Sequence, residues 1–324
     1  MPHRYFSVIF FLLFLAFVTA CSKQTPNKPL RIGFNTWPGY EFIYLAKAKR
    51  FYEKYGLDVK LVELSALGDV RRAFERGQID IMASTMVEML IAAENTGRLL
   101  KIIAVADASN GADMLLARKG IKSVAELKGK KVGMEGATVD VLVAGAALRS
   151  VGLKFRDIEL VSHAQDDLVM RFEAGQLDAI QTYPPYAIKL LKTGKYHKLF
   201  DTGKIPGQIV DVLSVAEDVL SERRDDIRVF LKAYYEAFEY YQNNPHEASA
   251  IMGKREGISG DEFREALDGM VIFPEDKQLP YVKPGGVGQQ ALQNAAEVLH
   301  DGGWLKEPAE INKFFDARID ELIR

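Results

Sequence analysis

Phe74-Glu75-Arg76-Gly77-Gln78-Ile79-Asp80-Ile81 and Phe172-Glu173-Ala174-Gly175-Gln176-Leu177-Asp178-Ala179 carry one pattern at two distant places in the chain. Each joins the end of a helix to a strand that opens on an aspartate. The glycine supplies the left-handed cap that stops the helix. Taken alone, the echo is two similar helix-to-strand turns. Its neighbourhood gives it more weight. Around the first copy, 30–34, 57–64, 79–83 and 100–105 read as β-branched strands, and 40–55, 70–76 and 87–96 as helices. After Lys119 the alternation restarts, with strands at 131–134, 158–161 and 179–181 and helices at 140–151 and 168–174. Such alternation argues for parallel βαβ units.

Two successive units of similar size imply two lobes, and the length of 30–324 is beyond what one core comfortably serves. The expected class is α/β, each lobe a mixed, mostly parallel sheet flanked by helices, with a cleft between. From Asp225 onward the chain is helix-rich, with periodic segments at 227–243, 261–270, 289–301 and 309–323 that are expected to return and brace the first lobe. The expected division is 30–107 with 212–324 as lobe 1 and 108–211 as lobe 2. The crossings fall at Val105-Ala106-Asp107-Ala108-Ser109 and near 206–211, stretches of small and turn residues.

Ahead of these units lies a different kind of sequence. A short positive region ends at Arg4, an apolar run covers 5–18, and Thr19-Ala20-Cys21 forms a small-residue exit. That is the order of a secretory signal, and the apolar run falls short of the roughly 20 residues a membrane span needs. Cys21 is the chain's one cysteine. Val18-Thr19-Ala20-Cys21 resembles a bacterial lipobox, which implies lipidation of Cys21 after removal of 1–20. The polar, proline-bearing stretch 21–29 then serves as a tether. No disulfide is available to the mature chain. The formal net charge of −2 loses Arg4 with the signal and becomes −3. No basic stripe suggests nucleic acid.

The two Gly-Gln turns resemble those of periplasmic binding proteins of the nitrate, sulfonate, taurine and thiamine-pyrimidine class. The segment from Ala46-Lys47-Ala48-Lys49 to Tyr55-Gly56-Leu57 resembles that family's first helix and its following turn. Val124-Ala125-Glu126-Leu127-Lys128-Gly129 resembles its approach to the second lobe. The similarity covers most of the mature chain. It implies a type II periplasmic-binding fold whose lobes close on a ligand by hinge motion. It also implies a small-molecule ligand, the permease of an ABC transporter as partner, and a monomeric, lipid-anchored periplasmic protein without cofactor or metal.

Ligands of open α/β sheets lie beyond the carboxyl ends of the strands. Those ends place Asn35, Thr36, Trp37 and Tyr40 in the first lobe, joined by Ser84 and Thr85. The second lobe offers Gly136, Ala137, Thr138, His163, Asp167 and Tyr183, and Asp211 lies at the second crossing. Trp37 offers a flat wall for a ligand or packs as lobe core. Asn35 and Thr36 face a ligand or cap the next helix. Backbone amides at Gly136-Ala137-Thr138, and at Ser84-Thr85, suit an oxyanion, though such residues also make ordinary βα turns. His163 reads as a ligand contact or as a satisfied structural histidine. Tyr183-Pro184-Pro185-Tyr186 sets two rings about a rigid turn. Charge at the strand ends is one-sided: Asp107, Glu135, Asp166, Asp167 and Asp211 appear without lysine or arginine. An acidic rim with aromatic rings suits a solute bearing an amine or an electron-poor ring.

Two other functions share these features. An enzyme on the same fold, such as the menaquinone-pathway lyases or the pyrimidine synthases that resemble it, needs a positioned acid, base or nucleophile. No cluster of Cys, His and Lys lies near the strand ends, and the cysteine-rich stretch of the synthases is absent. A binding protein docking on a membrane sensor would look the same in sequence.

Overall fold

A computed structural model describes residues 28–323; the signal, Cys21 and most of the tether lie outside them. Two sheets organise the chain. The first has the order β11-β4-β10-β3-β1-β2, formed by β1 (Leu30–Asn35), β2 (Val59–Leu64), β3 (Ile81–Thr85), β4 (Leu100–Ser109), β10 (Val210–Ala216) and β11 (Met270–Ile272). The second has the order β7-β6-β8-β5-β9, formed by β5 (Met114–Arg118), β6 (Lys131–Met134), β7 (Glu159–Ser162), β8 (Ala179–Thr182) and β9 (Tyr196–Asp201). Pairings β1–β2, β1–β3, β6–β7 and β6–β8 are parallel, whereas β10 runs antiparallel to β3 and β4, and β5 antiparallel to β8 and β9. Helices cover both sheets, giving the expected mixed α/β class.

The repeated motif has a structural cause. Gly77 and Gly175 take φ of 67° and 84°, and each following glutamine amide reaches back into the helix, Gln78 N–H to Ala73 O and Gln176 N–H to Arg171 O, both at 2.9 Å. The aspartate then clasps the neighbouring parallel strand. Asp80 N–H donates to Arg31 O (2.8 Å) while Asp80 Oδ2 accepts from Arg31 N–H (2.9 Å). Asp178 repeats this with Lys131, at 2.9 Å for both bonds. These clasps fix strand register at the amino ends of β1 and β6, the edges opposite the cleft.

Several elements depart from expectation. The helix expected over 40–55 is two, Glu41–Ala48 and Phe51–Lys54, broken at Arg50 with φ of 62°. The break turns Tyr52 inward, where its ring stacks on Phe230 at 5.9 Å and its hydroxyl donates to Ile43 O. The strand expected over 100–105 runs on through Ser109 as β4, and β10 begins at Val210. The segment 261–270 stops being helical at Leu267 and ends in the edge strand β11, because Gly269 lies against Ala112 so closely that a Cβ would meet its backbone at 3.0 Å. The segment 309–323 holds only the 3₁₀ turns Ile311–Phe314 and Ile319–Glu321. Phe315 there bridges to Ile102 of β4, and Arg224 ties down Asp316 at 2.8 Å, so tertiary contacts override the helical periodicity. The helix Arg224–Asn243 packs on Glu41–Ala48, and Gly288–Asp301 on Met86–Thr96, so the tail braces the first sheet.

Candidate functional site

The carboxyl ends of β1, β3 and β4, with the amino end of the antiparallel β10, form one edge of the first sheet. The carboxyl ends of β6 and β8, with the amino end of β5, form the facing edge of the second. Between them lies a cavity lined by Asn35, Trp37, Tyr40, Leu67, Thr85, Asp113, Val139, Tyr183 and Asp211. The space it leaves is ≈ 10 Å³ for water-sized occupants, room for about one water. Admission of an organic solute therefore requires the lobes to part.

The aromatic side chains form its first-lobe wall and roof. Trp37, 5% exposed, meets Tyr183 edge-on at 5.9 Å across the cleft, and Tyr183 meets Tyr186 in the same way. Trp37 thus belongs to both readings, being cavity wall and buried core. Its Nε1–H donates to Asp107 Oδ2 at 3.0 Å, and the Tyr40 hydroxyl donates to Asp211 Oδ1. Asn35 Nδ2 makes long contacts with Tyr183 Oη (3.5 Å) and Thr36 O (3.3 Å), leaving Oδ1 without a donor.

Carboxyl groups dominate the surroundings. Glu88, Asp107, Asp113, Glu135, Asp140 and Asp211 are all buried. Asp107 and Asp211 are cross-strand partners on β4 and β10, and Thr85 is the partner of Asp211 on β3. Burial pushes Asp107 up to about 7 and Asp211 well above the carboxylate range. Burial likewise raises Asp113 to about 6 and Glu135 to about 7. Asp140 rises well above its ordinary value for the same reason.

Two of these acids cross the cleft. Val139 N–H, at the start of the second-lobe helix Asp140–Arg149, donates to Glu88 Oε1 of the first lobe at 2.8 Å. Gly68 N–H, in the first turn of the first-lobe helix Leu67–Glu75, donates to Glu135 Oε1 of the second at 3.0 Å. Each lobe thereby places a carboxyl at the other's positive helix end.

Of the residues read from sequence, Asn35, Trp37, Tyr40, Thr85, Tyr183 and Asp211 line the cavity. Thr85 also caps Met86–Thr96 in a capping box with Glu88. Ser84 is buried with its hydroxyl on Thr85 O, and Thr36 is half-buried outside the lining. Gly136, Ala137 and Thr138 also fall outside it. Gly136 N–H is taken by Ser162 Oγ (3.0 Å), Ala137 has φ of 57°, and Thr138 Oγ1 donates to Glu135 O (2.8 Å). His163 and Asp167 pair with each other at 2.9 Å in a partly exposed position, with Arg171 beside them, and do not reach the cavity. The lining residues missed by sequence reasoning are Leu67, Asp113 and Val139. Among the described residues no group of His, Cys, Asp and Glu is arranged to hold a metal ion.

Residues 37–248 match the NMT1/THI5-like family model, and the chain belongs to that family. A putative binding protein of Brucella abortus is 25% identical over 90% of this chain and 91% of its own length. A putative aliphatic sulfonates-binding protein of Escherichia coli is 27% identical over 77% of this chain and 78% of its own. The crystal structure of the periplasmic aliphatic sulphonate binding protein from Escherichia coli superposes with a TM-score of 0.73 at 23% identity, covering 89% of this chain and 92% of that one. The fold is that of the periplasmic binding proteins.

Proposed function

We propose that this protein is the extracytoplasmic solute-binding component of an ABC importer, capturing a small polar organic solute between its lobes and presenting the closed form to a membrane permease. The observation that carries the reading is the cavity itself: two lobes meet over it, and Asn35 and Asp211, nearly fully buried in its lining, each keep an oxygen without a donor. Natural structures seldom leave buried polar atoms unmatched unless something else matches them. The Brucella and Escherichia relatives, named as binding proteins, favour the same reading.

The protein works as a receptor rather than an enzyme. Its buried acids are engaged by the Trp37 indole, the Tyr40 and Thr85 hydroxyls and the opposite lobe's amides, an arrangement that holds the lobes and a solute rather than one that activates a nucleophile. It acts as a monomer, without cofactor, and the solute is held by Asn35, Trp37, Tyr40, Thr85, Tyr183 and Asp211. Cys21 carries the lipid that holds the protein at the periplasmic face of a membrane.

Small-angle scattering of the solute-free and solute-loaded protein tests the mechanism. A monomeric mass and a smaller radius of gyration on loading are expected. Saturation with an unchanged profile would sink hinge closure. For the anchor, fatty-acid labelling should reach the wild type and not Cys21→Ala; equal labelling of both would remove the lipidation site.

A further inference from the structure

We propose that the cleft selects a small organic cation carrying an ammonium, amidinium or guanidinium group, and rejects simple oxyanions. The inference rests on the cleft being the solute site and adds the chemistry of what enters it.

The hydrogen-bonding capacity left over at the cavity is mainly that of acceptors. Trp37 Nε1–H is given to Asp107, the Tyr40 hydroxyl to Asp211 and the Thr85 hydroxyl to Glu88. Tyr183 retains a neutral hydroxyl, and Asn35 can offer either end of its amide. Against these stands Asp211 Oδ2, in a side chain 2% exposed that lines the cavity and has no donor. Asp107 Oδ1, Glu135 Oε2 and Asp140 Oδ1 are buried nearby in the same condition. None of the nine lining residues is a lysine or arginine. Arg72, whose charge acts on Glu135, is exposed and paired with Asp69 at 2.7 Å.

The places where an oxyanion would be held are already filled. Helix amino ends attract anions, and two of those at this cleft accept Glu88 and Glu135 from the facing lobe, Glu88 also taking the Thr85 N–H at the head of a third. A sulfonate or carboxylate would have to expel one of these and then sit among the remaining buried acids. A cation meets acceptors without donors and two aromatic faces, Trp37 and Tyr183, suited to it. An N–H-bearing cation is favoured over a metal ion because the acceptors are spread over both lobes and mixed with rings.

Protein purified from its own cells is unfolded, and the small molecules released are identified by mass spectrometry. The same protein, refolded free of solute, is titrated calorimetrically with acetamidine, methylguanidine, ethanolamine and putrescine, and separately with ethanesulfonate, nitrate and acetate. A released solute with a cationic nitrogen, or binding by one of the four cations, is expected. Affinity should fall at least about tenfold in Asp211→Asn, with a melting temperature no lower than the wild type. Release or binding of an oxyanion, or cation binding that Asp211→Asn leaves unchanged, overturns the cation assignment while the receptor reading stands. No released solute together with no binding by any probe overturns both.

Discussion

Trp37 shows how one side chain serves core and cleft together. It is buried, it forms the wall opposite Tyr183, and its indole N–H is the donor that Asp107 receives. Trp37→Phe keeps a ring and removes that donor. At pH 8 Asp107 is largely ionised, given a carboxyl near 7, and losing a hydrogen bond to a charged group costs about 1.5–3 kcal/mol. At pH 5 the carboxyl is neutral and the cost should be clearly smaller. Chemical denaturation at both values is the check; an equal loss at each would mean that Trp37 contributes packing alone. The strand-end rule reached Trp37, Tyr40 and Asp211 because strands at 30–34 and 79–83 and a crossing near 211 are legible in the sequence. It missed Asp113 because β5 was not recognised. An antiparallel strand brings its amino end to the edge where its parallel neighbours end, so the site residue precedes the strand. Glu88 carried a signal that went unused: Thr85-Met86-Val87-Glu88 has the spacing of a capping box.

At the scale of elements, the parallel βαβ units were legible and the antiparallel strands were not. β5, β9, β10 and β11 each pair antiparallel and are defined by long-range pairing rather than by local strand-helix alternation. The terminal segment 309–323 has apolar residues at helical spacing, yet it buries Ile311, Phe314 and Ile319 through 3₁₀ turns against the first lobe. Nothing in the local sequence signals the reciprocal contacts in which Glu88 and Glu135 reach the opposite helix ends, since they depend on how two lobes meet. They predict a bias toward closure. A carboxylate at a helix amino end contributes up to about 2 kcal/mol when partly buried. Glu135→Gln at pH 8 should therefore move the solute-free protein toward the open form, by a factor of roughly 5–30 in the ratio of open to closed for 1–2 kcal/mol. Scattering should show a larger radius of gyration with unchanged circular dichroism. An identical profile would mean that the Glu135–Gly68 bond does not hold the lobes.

For the whole molecule, acids that burial makes reluctant to ionise set the response to pH. Glu41 is raised to about 7 despite Arg255, and Asp107, Glu135 and Asp113 are raised to about 7, 7 and 6. Their unfolded counterparts lose protons near 4. Between about 4 and 7 the native state therefore holds more protons than the unfolded chain, so stability falls as pH rises through that window. Another set acts in the opposite direction. Asp80 beside Arg31, Asp316 beside Arg224 and Glu262, lowered to about 2, keep their protons less well when folded. Their contribution is present above the unfolded values and lost as pH falls below about 4. The two groups place the stability maximum of the solute-free protein near pH 4, with a lower melting temperature at pH 8 than at pH 5. Asp107→Asn imitates the neutral carboxyl and should raise the melting temperature at pH 8 while changing it little at pH 5. One unit of displaced pKa corresponds to about 1.4 kcal/mol, so the gain at pH 8 is on the order of a few kcal/mol at most. A wild type that melts higher at pH 8 than at pH 5 would show that the buried acids are ionised in the free protein. The acidic cleft would then already hold a counter-charge that the arrangement of Asp107 and Asp211 does not provide.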